Sequence, residues 1–135
     1  MKIKFIHIAV LYLFSIIICG CNNNRKADIM KINSQKINKT CPVRVDSLLI
    51  LDSTYYNKED NSMTYYYTAS GILDDSLLLN KNYNEIESSL REGLDNSVDM
   101  RKYIEYEVTI IYKYNSYSNG KTLVTFTMPN KRKKK

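Results

Sequence analysis

Apolar positions in this chain form one continuous run and then several periodic ones. Phe5 to Ile18 carries no Asp, Glu, Lys or Arg, and the polar stretch "NNNRKADIMKINSQKINK" at 22–39 follows it closely. Within that polar stretch Ile29, Ile32 and Lys36 or Ile37 recur at helical spacing, which predicts a short helix over about 28–37. From 43 to 56, "VRVDSLLILDSTYY" is rich in β-branched, leucine and tyrosine residues without Gly or Pro, the composition of a strand. "NKEDNS" at 57–62 has turn chemistry, and "MTYYYTAS" at 63–70 returns with Met63, Tyr65, Tyr67 and Ala69 on one face and Thr64, Tyr66 and Thr68 on the other.

The period then changes. Tyr83, Ile86, Leu90 and Leu94 make one apolar stripe, predicting an amphipathic helix over about 83–97, with Asn82 and Glu85 spaced as a cap and its reciprocal partner. Asn84, Glu87, Arg91 and Asp95 fall on its solvated side. In "YEVTIIYKY" the two-residue period returns, with Tyr106, Val108, Ile110, Tyr112 and Tyr114 on one face. Asn119-Gly120 suits a turn at positive φ, and "KTLVTFTM" brings Val124, Phe126 and Met128 to one face before Pro129 stops it.

Two strands, a helix and two strands predict an α+β fold: an antiparallel sheet of about four strands (β-β-α-β-β) with one helix packed on a face. What remains after residue 20 suffices for one core and not for two. The expected organisation is a signal over 1–20, a polar tether over 21–39, a single domain over 40–130 and a basic tail over 131–135.

Lys2 and Lys4 ahead of the apolar run, and small Gly20 after it, give the layout of a secretory signal. The run is short of the ~20 residues a membrane span needs. Ile18-Cys19-Gly20-Cys21 resembles the lipobox of bacterial lipoproteins, where an aliphatic residue, a permissive one and a small one precede the lipid-bearing Cys. The resemblance implies cleavage before Cys21 and acylation of its thiol, with palmitate among the chains, and membrane attachment through that lipid. A plain secreted protein or an uncleaved anchor is the alternative. Asn22 and Asn23 stand where some lipoproteins carry an inner-membrane retention Asp, so the resemblance favours an outer-membrane location facing the periplasm. "NKTCPVRVDSLLILDS" at 38–53 resembles the opening of small uncharacterised envelope proteins and implies a small α+β domain without implying an active site.

With Cys19 in the signal and Cys21 lipidated, Cys41 has no partner for an internal disulfide. A buried filler is favoured for it over a reactive thiol or an intermolecular bridge. The sole histidine, His7, lies in the signal, which removes the usual general base and the commonest metal ligand from the mature chain. Four glycines, at 20, 71, 93 and 120, form no phosphate-cradling loop. Asp74 and Asp75 are adjacent, so their side chains diverge and read as a turn. A hydrolase built on Asp74, Asp75 or Glu85 is the least favoured function. The formal net charge of +6 is uneven: two lysines sit in the signal and five basic residues in the tail, so the body is nearly neutral. That argues against nucleic acid as a partner. The tail itself reads either as a solvated terminus or as a contact for anionic headgroups or lipopolysaccharide.

These features converge on a lipid-anchored, non-enzymatic protein-binding module with an inhibitor, immunity or accessory role, without cofactor, metal or small-molecule substrate. Tyr65, Tyr66 and Tyr67 are its candidate binding residues, because tyrosine offers contact area at low entropic cost. Cross-strand packing is their ordinary alternative. A structural protein contacting wall or surface glycans through stacked tyrosines is the other functional reading.

Overall fold

The computed structural model describes residues 21–129; the amino-terminal run with Ile18 to Gly20 of the lipobox, and the tail 131–135, lie outside the described residues. In chain order the elements are α1 (Cys21–Asn38), β1 (Val43–Arg44), β2 (Leu49–Asn57), β3 (Ser62–Ala69), a 3-10 turn (Gly71–Leu73), α2 (Ser76–Lys81), α3 (Tyr83–Asn96), α4 (Arg101–Glu105), β4 (Thr109–Ser116) and β5 (Thr122–Met128). Among the described residues no helix is long and apolar enough to cross a membrane.

The sheet corrects the expected fold. It has five strands in the order β1-β2-β3-β4-β5, and its central pair, β3 and β4, is parallel, so the four-stranded antiparallel β-β-α-β-β arrangement is not the one formed. Parallel neighbours need a long crossover, and the helical segment between Ala69 and Thr109 provides it. It returns the chain to the end of the sheet where β3 begins, as the Thr109 amide donating to the Asn61 carbonyl at 3.0 Å records. The fifth strand arises because the stretch expected as one strand over 43–56 folds on itself. Asp46 Oδ1 accepts from the Leu48 amide at 2.7 Å, closing a turn that pairs Val43 with Leu51 and Arg44 with Ile50. The Cys41–Pro42 peptide entering β1 is cis.

The hairpin and helix expectations fare better. Residues 57–62 do turn between β2 and β3, and Gly120 has φ +69 in the β4–β5 turn. The amphipathic helix forms over Tyr83–Asn96, with Arg91 and Glu87 paired at 3.7 Å on its solvated side. The anticipated Asn82–Glu85 cap does not form; Asn82 donates instead to the Leu78 carbonyl and closes α2. The helix expected over 28–37 is present and extends to Cys21.

Core side chains stand in rows across one sheet face. Tyr56, Met63, Ile110 and Met128 are mutual cross-strand partners at one end, and Thr54, Tyr65, Tyr112 and Phe126 form the next row. A register shift between Leu51 and Ser53 leaves Asp52 outside the ladder, where it accepts from Thr68 Oγ1 at 2.8 Å. That irregularity turns Thr54 and Tyr56 inward and leaves Tyr55 59% exposed on the other face.

Helix α1 closes this core beside β2, burying Ala27, Met30 and Ser34, positions three and four residues apart. A polar clasp holds it. The Thr54 amide donates to Asn38 Oδ1 at 2.6 Å, Asn38 Nδ2 donates to the Thr54 carbonyl at 2.8 Å, and Ser34 Oγ meets Thr54 Oγ1 at 2.9 Å. One asparagine thus serves the β2 backbone as a neighbouring strand would. Asn38→Ala is expected to lower unfolding stability by about 2 kcal/mol, because it leaves the amide and carbonyl of Thr54 without these partners. Denaturant unfolding checks this, and an unchanged midpoint would show that the clasp contributes nothing net.

Candidate functional site

The feature best suited to recognition is a groove along one side of α3. Its first half is a cleft of about 480 Å³ lined by Leu73, Leu78, Leu79, Ile86 and Leu90 together with polar Asn82, Glu85 and Ser89. Its second half, about 360 Å³, passes between α3 and the sheet, where Tyr65, Tyr67 and Tyr112 face Leu90, Gly93, Leu94, Ser97 and Met100. Ser89 and Leu90 belong to both halves, so the two run end to end. From Asn82 to Ser97 the helix rises roughly 22 Å, the length of about four turns of a partner helix.

Each wall has a local cause. Asp75 caps α2 by accepting from the amides of Leu77 and Leu78 at 2.8 and 3.2 Å, which fixes the run Leu77-Leu78-Leu79 on a helix of only six residues. One turn and a half cannot bury three successive leucines on one side. Leu79 goes into the core, Leu78 stays 39% exposed and Leu77 80% exposed, with Ile72 nearby in sequence at 71%. Asp74, for its part, accepts from the Ser118 amide at 2.9 Å and from its hydroxyl, tying this segment to the β4–β5 turn. Hydrogen bonds from Ser116 and Ser118 hold the Asp74 carboxyl below the usual carboxylate range. Both aspartates therefore hold local structure. The small residues Ser89, Gly93 and Ser97 keep the α3 side of the groove shallow, and a Cβ added at Gly93 would meet nothing within 4 Å.

The floor is aromatic. Tyr65 stacks on Tyr112 with centroids 5.7 Å apart, and Tyr67 on Tyr114 at 5.3 Å, because parallel β3 and β4 place these residues directly opposite one another. Tyr83 of α3 stacks on Phe126 at 4.6 Å. Burial raises the phenol pKa of Tyr65, Tyr67 and Tyr112, and that of Tyr114 is pushed up to about 12 by burial and by its neighbours Tyr112 and Asp46. The groove thus presents neutral phenols. No group of three or more His, Cys, Asp or Glu able to hold a metal occurs among the described residues.

The three candidate tyrosines do not share one face of the sheet. Tyr65 is 8% exposed and packs in the core, its hydroxyl 3.9 Å from the Met100 sulfur. Tyr67 is half-buried on the same face, in the groove. Tyr66 points to the opposite face, where Lys113 Nζ lies 5.9 Å from its ring centroid. Cys21 opens α1. Cys41 is half-exposed and free, and burial followed by the Asp52 charge raises its thiol pKa. Sequence reasoning missed Leu78 as a groove residue, for which the signal was "SLLLN" at 76–80, an apolar run too short for its helix to bury, and took Ile86 and Leu90 only as the packed stripe of the amphipathic helix.

The chain belongs to the family described as "Domain of unknown function (DUF8479)", which matches residues 24–124. No curated protein matches the sequence. Among solved structures, the fold is shared with a Pseudomonas aeruginosa protein described as a "putative secreted protein", at TM-score 0.70 and 8% identity over 82% of this chain and 95% of that one. It is also shared with a pilotin from the Vibrio vulnificus type 2 secretion system, at TM-score 0.60 and 11% identity over 80% and 92% of the two chains. At these identities the likeness is one of fold.

The raised phenol pKa values predict alkaline lability. A folded-state pKa above the unfolded value of ~10 means that the stability is fully present below that pH and is lost as pH rises towards the folded values. Parallel phenolate absorbance and circular dichroism titrations should show Tyr65, Tyr67, Tyr112 and Tyr114 ionising only as the fold is lost, at a pH above ~10. All tyrosines ionising together near ~10 with the fold intact would contradict a buried aromatic floor.

Proposed function

We propose that this protein is a non-enzymatic accessory protein of the bacterial envelope, lipid-anchored through Cys21, that holds an apolar helical segment of a protein partner in the groove along α3. The observation that carries this reading is the continuous apolar cleft bordered by Leu78, Ile86 and Leu90 and floored by Tyr67 and Tyr112. An amphipathic helix laid into such a groove buries its anchors every three or four residues. The lipobox resemblance at Ile18-Cys19-Gly20-Cys21 supports the anchor, and Asn22 and Asn23 in place of a retention Asp support an outer-membrane site facing the periplasm. The shared fold with a pilotin, a component of a secretion system, supports an accessory role.

The sheet face opposite the groove favours a second reading, in which wall or surface glycans stack on its tyrosines. Tyr55 is 59% exposed there, with Tyr66 and Lys113 beside it. Sedimentation with purified wall material that is lost in Tyr55→Ala would support it.

A photo-cross-linking residue placed at Leu78 in the full chain is expected to trap a discrete protein in intact envelopes, whereas one placed at Tyr55 traps none. Leu78→Asp, a change at a part-exposed position, should weaken capture by about 2 kcal/mol, roughly thirtyfold. Equal trapping from both faces, or no protein adduct from Leu78, would refute the groove as the binding site.

A further inference from the structure

The two edges of the sheet are finished differently. At one, β1 is only two residues long, follows Pro42 and carries Arg44, and the amides of Val45 and Asp46 turn straight back to the Leu49 carbonyl at 2.9 and 3.3 Å. Past the end of β1, Asn38 occupies the amide and carbonyl of Thr54. A short, charged, proline-flanked strand and a side-chain cover keep an edge from pairing further. At the other edge, β5 runs from Thr122 to Met128 without a charged residue or a proline, and after a register shift at its start it pairs regularly with β4. Val124, Phe126 and Met128 are buried on the inner face, so Thr125 and Thr127 between them take the opposite orientation and are exposed. The Tyr83 hydroxyl donates to the Thr125 carbonyl at 3.4 Å, so that carbonyl points away from β4, and strand alternation turns the amide and carbonyl of Thr127 the same way. At that length the contact is weak, and among the described residues no other side chain reaches this row.

We propose that β5 is the seam of a twofold dimer, in which a second copy of this chain lays its own β5 antiparallel to the first and extends the sheet. This goes beyond the groove reading and does not depend on it. The strand is its own complement. About an axis at Thr125, that residue meets its own copy, Thr127 meets Leu123, and Val124 meets Phe126. The outward amides and carbonyls of Thr125 and Thr127 then gain partners, while Val124 and Phe126 pair across the seam on the inner face and Thr125 faces Thr125 on the outer one. Because β5 carries no charge, this symmetric pairing sets no like charges opposite one another. Apolar surface lies next to the seam as well, since α2 packs against β5 and leaves Leu77 80% exposed. An uncharged edge left open invites indiscriminate pairing, and a closed twofold pair consumes it.

The test uses the full-length chain purified in detergent, with association followed by sedimentation velocity over a dilution series and by amide deuterium exchange. The unmodified chain is expected to dimerise, and its peptide over 122–128 to exchange more slowly in concentrated than in dilute samples. Thr125→Lys and Thr125→Glu each alter one exposed side chain and set like charges across the axis, so each alone should dimerise about fivefold more weakly. Mixing the two variants should restore association, because only self-pairing at this position brings the opposite charges together. A chain that is monomeric at every dilution, a dimer whose exchange over 122–128 is independent of concentration, or weakening by both charges without recovery on mixing would overturn the proposal. So would an extended segment of another protein found on β5 of a monomeric chain. The exchange measurement on the unmodified chain decides the matter even where a variant does not fold.

Discussion

Eight residues of β3 run in parallel register with eight of β4, from Ser62 opposite Thr109 to Ala69 opposite Ser116, and the rest of the molecule follows from that pairing. Parallel strands cannot be joined by a tight turn, so the chain must spend a helical crossover between them. The crossover contains α3, whose apolar stripe crosses the inner face from Phe126, stacked on Tyr83, towards Tyr65, which meets Met100 just beyond the helix. The same register sets Tyr65 opposite Tyr112 and Tyr67 opposite Tyr114, making a floor of stacked rings. One helix crossing obliquely does not cover that floor, and the uncovered part is the groove.

A second constraint completes the picture at the opposite edge. β1 has only two residues and pairs with β2 at Ile50 and Leu51, leaving the outer side of Thr54 without a strand partner. Asn38, the last residue of α1, meets that need. The groove is thus a product of the sheet: it lies where the crossover leaves aromatic surface uncovered. The aspartates at 74 and 75 are occupied with a turn and a cap.

Periodicity made the individual strands legible, and topology was not. The alternation of Met63, Tyr65 and Tyr67, and of Val124, Phe126 and Met128, correctly places those side chains on the inner face, because a one-residue slip would expose every one of them. Nothing in a period of two distinguishes a parallel from an antiparallel neighbour. The break after Arg44 depends on one Asx-type turn at Asp46 inside a stretch of strand formers, and the displacement of Asp52 depends on tertiary fit; both are invisible to pattern. Most of α1 is polar, and it is held by Met30, Ser34 and Asn38 rather than by a broad apolar stripe, so only its second half carried a helical signature. The groove was half legible: Ile86 and Leu90 fall on the periodic stripe of α3 and Tyr67 on the inner face of β3, whereas Leu78 sits in a run no period describes.

The central claim is that the α3 groove, and not the opposite sheet face, is occupied by protein in the envelope. Hydroxyl-radical footprinting read by mass spectrometry tests it directly, comparing oxidation of each tyrosine in purified full-length protein with that in intact envelopes. The account predicts that Tyr67 and Tyr112 become protected in envelopes while Tyr55 and Tyr66 keep the same reactivity. Unchanged oxidation of Tyr67 and Tyr112, with protection confined to Tyr55 and Tyr66, would contradict it.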